Sequence, residues 1–204
     1  MGTNLVSLIS DIAVGVSAII VAIVAFYGLR IWRKELTGKA RFEVARNVML
    51  LGLKSKADFE WARNPFTSSG EHATRSRREN ESSDVSMVLD EWYARDRRLV
   101  PLREDLSKLQ EAGWEAKVLL GKDASKLVSG AIKVFINSYA ELSSAIESYF
   151  EGRYKEANET GVNIDQDWLG ELRRVIYFTR EDNLSKRIEQ AADQLASVLR
   201  GYVK

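Results

Sequence analysis

Between Ile12 and Leu29 the chain runs IAVGVSAIIVAIVAFYGL, eighteen residues without a charged side chain. At 1.5 Å per residue such a helix is about 27 Å long, against a bilayer hydrocarbon core of ~30 Å. The preceding Leu5–Ser10 stretch, LVSLIS, can extend it outward. A helix that packs on a soluble core shows a polar face within eighteen residues, and this one shows none. A cleaved leader has Lys or Arg ahead of its apolar run and a small-x-small site behind it. Here no basic residue comes first, and Tyr27-Gly28-Leu29-Arg30-Ile31-Trp32 closes the run. Residues 1–29 therefore read as an uncleaved transmembrane anchor.

Charge gives the anchor a direction. The chain has thirty Lys and Arg against twenty-nine Asp and Glu, so its net charge of +1 offers no global field to attract nucleic acid. Every one of those basic residues lies from Arg30 onward, and one acid, Asp11, lies before it. Arg30, Arg33, Lys34, Lys39, Arg41 and Arg46 crowd the C-terminal flank. The positive-inside rule then predicts a short N-terminus outside and residues 30–204 in the cytoplasm, in a cell membrane of the bacterial inner-membrane kind. Tyr27 and Trp32 sit at the depth of an interfacial aromatic belt. The basic cluster sets topology, and Arg30, Arg33, Lys34, Lys39 and Arg41 are also candidates for contact with anionic headgroups.

Within the anchor, Asp11, Gly15, Ala18, Ala22 and Ala25 follow one another at spacings of 4, 3, 4 and 3. That is the rhythm of a left-handed helix crossing. In lipid no hydrophobic force drives helices together, so small residues at a seam matter because they let backbones approach. An ionisable Asp11 near the outer end prefers a partner or water to bare lipid. The pattern makes a second copy of the chain a candidate partner.

Past the anchor the periodicity is helical throughout, and no alternating run of β-branched residues is long enough for a strand. Residues 30–64 read as a basic amphipathic helix, with Phe42, Ala45, Val48, Met49, Gly52 and Ala57 near one face, ended by Asn64-Pro65. Residues 65–83 have few apolar side chains and no period, and read as a flexible polar loop in which His72, Arg75, Arg77 and Arg78 are solvated. Residues 84–204 read as a cytoplasmic helical domain. Val88, Trp92, Arg95, Leu99, Leu102, Leu106, Leu109, Gly113, Ala116 and Leu120 keep strict 4-3 spacing, with Pro101 predicting a kink or break near Leu99. After Gly121-Lys122, with Asp123 as the expected N-cap, Ala124, Val128, Ala131, Phe135, Ser138, Leu142, Ala145 and Tyr149 repeat the pattern. So short a connection predicts a long antiparallel coiled-coil-like hairpin, in an all-α fold. Two shorter helices follow. Asp165 or Asp167 caps the first, and Thr179-Arg180-Glu181-Asp182 reads as the first turn of the second.

Chemistry is hard to find. The chain has no Cys, which excludes thiolate sites, and its single His72 excludes His-paired metal sites. There is no GxGxxG, GxxxxGK[ST] or GxSxG motif. Acid pairs such as Glu111 and Glu115 fit the solvated faces of amphipathic helices. Trp92, Trp114 and Trp168 fall at core-like positions. The sequence thus predicts no enzyme, cofactor, metal or nucleic-acid partner. It predicts a membrane-anchored scaffold or adaptor whose helical domain binds itself or another protein. One alternative is an oligomeric effector that perturbs the bilayer on a cytoplasmic trigger, and a third is an enzyme built on carboxylates.

Overall fold

The structure, a computed structural model, describes residues 2–159, 162–179 and 182–203; of residues 2–9 and 11–14 it describes only the helical backbone. Among the described residues there are six helices and no strand. The chain divides into two units, residues 1–43 and 44–204.

The first unit is the long N-terminal part of α1, which runs Gly2–Ala62. Residues 15–39 are all exposed, including Ile20, Val21, Val24 and Phe26, each at least 55 % accessible. The helix is long and apolar enough to cross a membrane. Its polar stem is held by local contacts: Thr37 donates its hydroxyl to the Arg33 carbonyl, and Lys39 lies 3.9 Å from Glu43.

In the second unit the rest of α1 buries Val44, Ala45, Val48, Gly52, Ser55, Phe59 and Ala62. That is a 4-3 stripe of its own, and it leaves Phe42 and Ala57, read above as facing the same way, exposed. Gly52 lets α6 approach, since a Cβ there would stand 2.7 Å from Cδ1 of Leu195. Phe59 meets the Phe135 ring at 6.3 Å. The stretch 65–83 is more ordered than its composition suggests: it holds a short helix α2, Ser69–His72, and its side chains are tied to α3.

Helices α3 (Ser83–Leu119) and α4 (Lys122–Asn158) make the most extensive pairing among the described helices. Trp92, early in α3, stacks on Phe150, late in α4, at 6.2 Å; further on, Gly113 accommodates Ile132. Val88, Leu99, Leu102, Leu106 and Leu109 of α3 are buried, as are Val128, Phe135, Leu142 and Tyr149 of α4; Trp92 is half-buried. The predicted break at Pro101 does not occur: α3 runs through it unbroken. Pro101 and Arg97 are both on the exposed side, where water can serve the Arg97 carbonyl that has lost its i+4 donor.

The N-cap of α4 is Gly121, so Asp123 lies inside the first turn and is not the cap. Helix α5, Gln166–Ile176, is capped by Asp165, whose carboxylate accepts from the Asp167 and Trp168 N–H groups. It lies close to α4 because Gly152 has no side chain: a Cβ there would stand 3.2 Å from Leu169 and 3.3 Å from Trp168. Helix α6, Asn183–Leu199, starts later than the sequence suggests, with Asp182 as its cap; Arg180 and Glu181 lie outside the described residues. Trp114 is 61 % and Trp168 41 % exposed, so these two do not belong to the core.

Candidate functional site

The last four carbonyls of any α-helix lack intrahelical donors, and at a buried end something else must serve them. At the C-terminal end of α1 the N–H groups of Arg63 and Asn64 serve the Phe59 and Trp61 carbonyls, and two arginines of α3 serve Ala62 and the turn that follows. Arg95, fully buried, donates through Nη1 to the Ala62 and Asn64 carbonyls and through Nη2 to Pro65 at 3.1 Å. Arg98, 3 % exposed, donates to Asn64 at 2.7 Å and Phe66 at 2.6 Å. Its remaining donors form a fork on the Glu71 carboxylate of α2, at 2.5 and 2.8 Å. Each guanidinium also covers an aromatic ring, Arg95 over Tyr177 at 4.8 Å and Arg98 over Trp61 at 4.7 Å. The cations sit at the negative end of the α1 dipole, where their charge is favourable.

Arg63, the residue after α1, performs the same task for α5. It donates to the carbonyls of Val175, Arg174 and Tyr177 at 2.8, 3.3 and 3.1 Å, to Ser185 Oγ at 2.7 Å, and lies 3.0 Å from Asp182. Three buried guanidiniums thus join α1, α2, α3, α5 and α6 through helix ends. Their partners titrate accordingly. The Arg98 fork holds Glu71 at about 2. Asp182 is pushed up by burial, yet the Ser185 N–H and Arg63 hold it at about 2. Burial lowers Arg95 from its ordinary value.

A second polar group crosses from α1 to α3. Asp105, 3 % exposed, lies 2.7 Å from Lys54 Nζ and 3.6 Å from Lys108 Nζ. Asp58 Oδ2 is buried with no donor. Burial and the neighbouring Asp105 carboxylate push Asp58 up to about 6, whereas Lys54 and Asp58 hold Asp105 below its usual value against its own burial. Unequal carboxyls in contact are the arrangement general acid–base chemistry uses. Here Asp105 is buried, Asp58 is half-buried and Lys54 is exposed.

In the 65–83 stretch Arg75, 9 % exposed, is forked by Glu81 at 3.0 and 2.6 Å and touches Asp90 at 2.5 Å; Arg77 reaches Asp90 at 2.7 Å. Two of the arginines read as solvated are therefore neutralised by carboxylates. His72 and Arg78 also lie along this face, beside shallow clefts.

Of the residues read from the sequence as a membrane seam, Gly15, Ala18, Ala22 and Ala25 are exposed along the helix, and the Asp11 side chain lies outside the described residues. Arg30, Arg33, Lys34, Lys39 and Arg41 are exposed too. Among the described residues no group of three or more His, Cys, Asp or Glu side chains is arranged to hold a metal ion. The arginine junction is the part that sequence reasoning missed. Arg95 shows itself only as a cation in an apolar heptad, Arg63 gives no signal beyond adjacency to the Asn64-Pro65 stop, and Arg98 gives none.

Among the described residues these features define an all-helical protein with one helix long and apolar enough to cross a membrane. No family model matches the chain, and no curated protein or solved structure is significantly similar to it.

Proposed function

We propose that the chain is a single-pass membrane protein whose cytoplasmic helical domain mediates self-association or partner binding. The observation that carries this reading is the exposed apolar surface of α1 from Gly15 to Ile31. Burying that surface in water-soluble form needs a partner of equal length, whereas a bilayer buries it at no further requirement. The basic residues from Arg30 onward direct residues 30–204 to the cytoplasm. The α3–α4 pair, read as an antiparallel coiled-coil-like hairpin, then forms the body of a scaffold. Copies meet in the membrane along Asp11, Gly15, Ala18, Ala22 and Ala25.

Because the native chain has no Cys, single-Cys variants test the seam without background. Cys at 18 or 22 should crosslink between copies in native membranes, and Cys at 19 or 23 should not. Equal crosslinking at all four positions removes the seam. Release of the chain from membranes by carbonate at high pH removes the anchor as well.

A further inference from the structure

We propose that the cleft between α4 and α5 binds a small anion carrying two phosphate groups. It measures about 820 Å³, within the ~300–1,000 Å³ usual for small-ligand sites, and opens between α3, α4, α5 and the Pro65 turn. Three guanidiniums line it: Arg153 from α4, and Arg173 and Arg174 from the last turn of α5. The close approach of α5 to α4 at Gly152 is what brings Arg153 and the two α5 arginines to one opening.

Arginines on a surface normally find acids, and these are poorly served. Among the described residues Arg153 is paired with Glu156 alone, at 3.7 Å, both well exposed. Arg173 rests on the Tyr177 ring at 5.5 Å, and among the described residues neither Arg173 nor Arg174 is paired with a carboxylate. The one acid in the lining, Glu91, is already occupied: it accepts the Tyr177 hydroxyl at 2.7 Å and lies 3.7 Å from Arg95. The carbonyls at the negative end of α5, which would repel an anion, are taken up by Arg63. Among the described residues the cleft thus presents three donor forks and no unengaged carboxylate, the complement of phosphate oxygens. Gly170 leaves room in it, having no atom within 4 Å of where a Cβ would stand.

A diphosphate of this kind reaches the cleft either free in solution, as in a nucleotide, or as the phosphates of anionic lipid headgroups. The test is calorimetric titration of inorganic pyrophosphate into the full chain in phosphatidylcholine nanodiscs. One site is expected, weakened about tenfold by each of Arg153→Gln, Arg173→Gln and Arg174→Gln, the size of one good charge-assisted contact. Gly170→Leu should abolish binding by filling the cleft, with helix content kept and the thermal midpoint equal to or above the parent's. Lys126→Gln, at the far end of α4, should leave binding as it was. Repeating the titration in discs containing phosphatidylglycerol separates the sources: unchanged affinity assigns the site to a free ligand, and at least tenfold weaker affinity assigns it to headgroups that compete. No pyrophosphate binding in the neutral discs overturns the proposal, as does wild-type affinity in the Arg173→Gln/Arg174→Gln double variant. Neither result bears on crosslinking at residues 18 and 22, so this site and the self-association reading stand or fall separately.

Discussion

Gly113→Ala sets two opposing effects against each other inside the α3–α4 pair. Replacing glycine by alanine within a helix gains about 1 kcal/mol in propensity. The added Cβ, however, would fall on Cδ1 of Ile132, well inside the ~3.5–4.0 Å at which carbons rest in contact. Ile132 is 5 % exposed and has little room to turn, so overpacking costs about 1–3 kcal/mol and the single variant should come out about 0–2 kcal/mol less stable. Ile132→Val removes that Cδ1 and should cost about 1 kcal/mol alone. In the double variant the methyl added at position 113 occupies the space Cδ1 has left, volume is conserved, and only the propensity gain remains. The double variant should therefore match or exceed the parent, which makes the coupling between the sites about 2 kcal/mol. Thermal unfolding of the full chain in neutral detergent, followed by circular dichroism, reads this as about 4–8 °C between the observed midpoint and the additive one. Additive midpoints would refute the argument, because they would mean that the two side chains do not share the space.

Arg95→Met should destabilise the chain by about 2–5 kcal/mol by orphaning the Ala62 and Pro65 carbonyls, Asn64 keeping its bond from Arg98, with hydrogen exchange rising first around residues 62–66; a midpoint within about 2 °C of the parent contradicts this. Arg95→Lys should recover little, since one ammonium cannot span that fork. Glu71→Gln should cost about 1–3 kcal/mol at pH 7 by removing the Arg98 fork. Since folded Glu71 titrates at about 2, below its unfolded value, its contribution is present above about 4.5 and fades as pH falls through 2, and the gap between variant and parent should close on the same path. Asp58 has the opposite sign: folded, it titrates at about 6, above its unfolded value of 3.8, so its contribution is full below 3.8 and is lost as pH rises through 6. Asp58→Asn should gain stability relative to the parent between about pH 4 and 7, and a pH-independent difference in denaturation midpoints would rule the raised carboxyl out.

Much of the helical domain was legible because apolar side chains at 4-3 spacing have one efficient way to leave water. Leu99 to Leu109 and Val128 to Tyr149 are spaced for burial and are buried. The same rule misjudged α1 beyond residue 40. Phe42 and Ala57 share a helical face with Ala45 and Val48 only approximately, and a stripe running Ala45, Val48, Gly52, Ser55, Phe59 reaches the core by including a serine and a glycine. Trp114 was misjudged for the related reason that bulk does not determine which way a residue faces. The polar organisation was illegible. Arg63, Arg95 and Arg98 answer to carbonyls, which every residue possesses and no side-chain pattern marks. Arg75 answers to acids 6 and 15 residues away, at no helical spacing. Where caps rest on a side chain, as with Asp165 and Asp182, the sequence came within a turn of them; at Gly121 the cap is a glycine, and Asp123 was the more conspicuous choice.

The bonds of Arg63 reach partners 112 and 122 residues further along the chain, at Val175 and Ser185. A ribosome adding about 5–20 residues per second takes about 6–24 s to cover the longer interval. During that time Val48, Phe59 and Ala62 wait bare for helices not yet made. Newly made chains therefore pass through a stage in which α1 is complete and its packing partners are missing. For those seconds the exposed stripe of α1 is open to holding chaperones and to the unfinished neighbours on the same polysome.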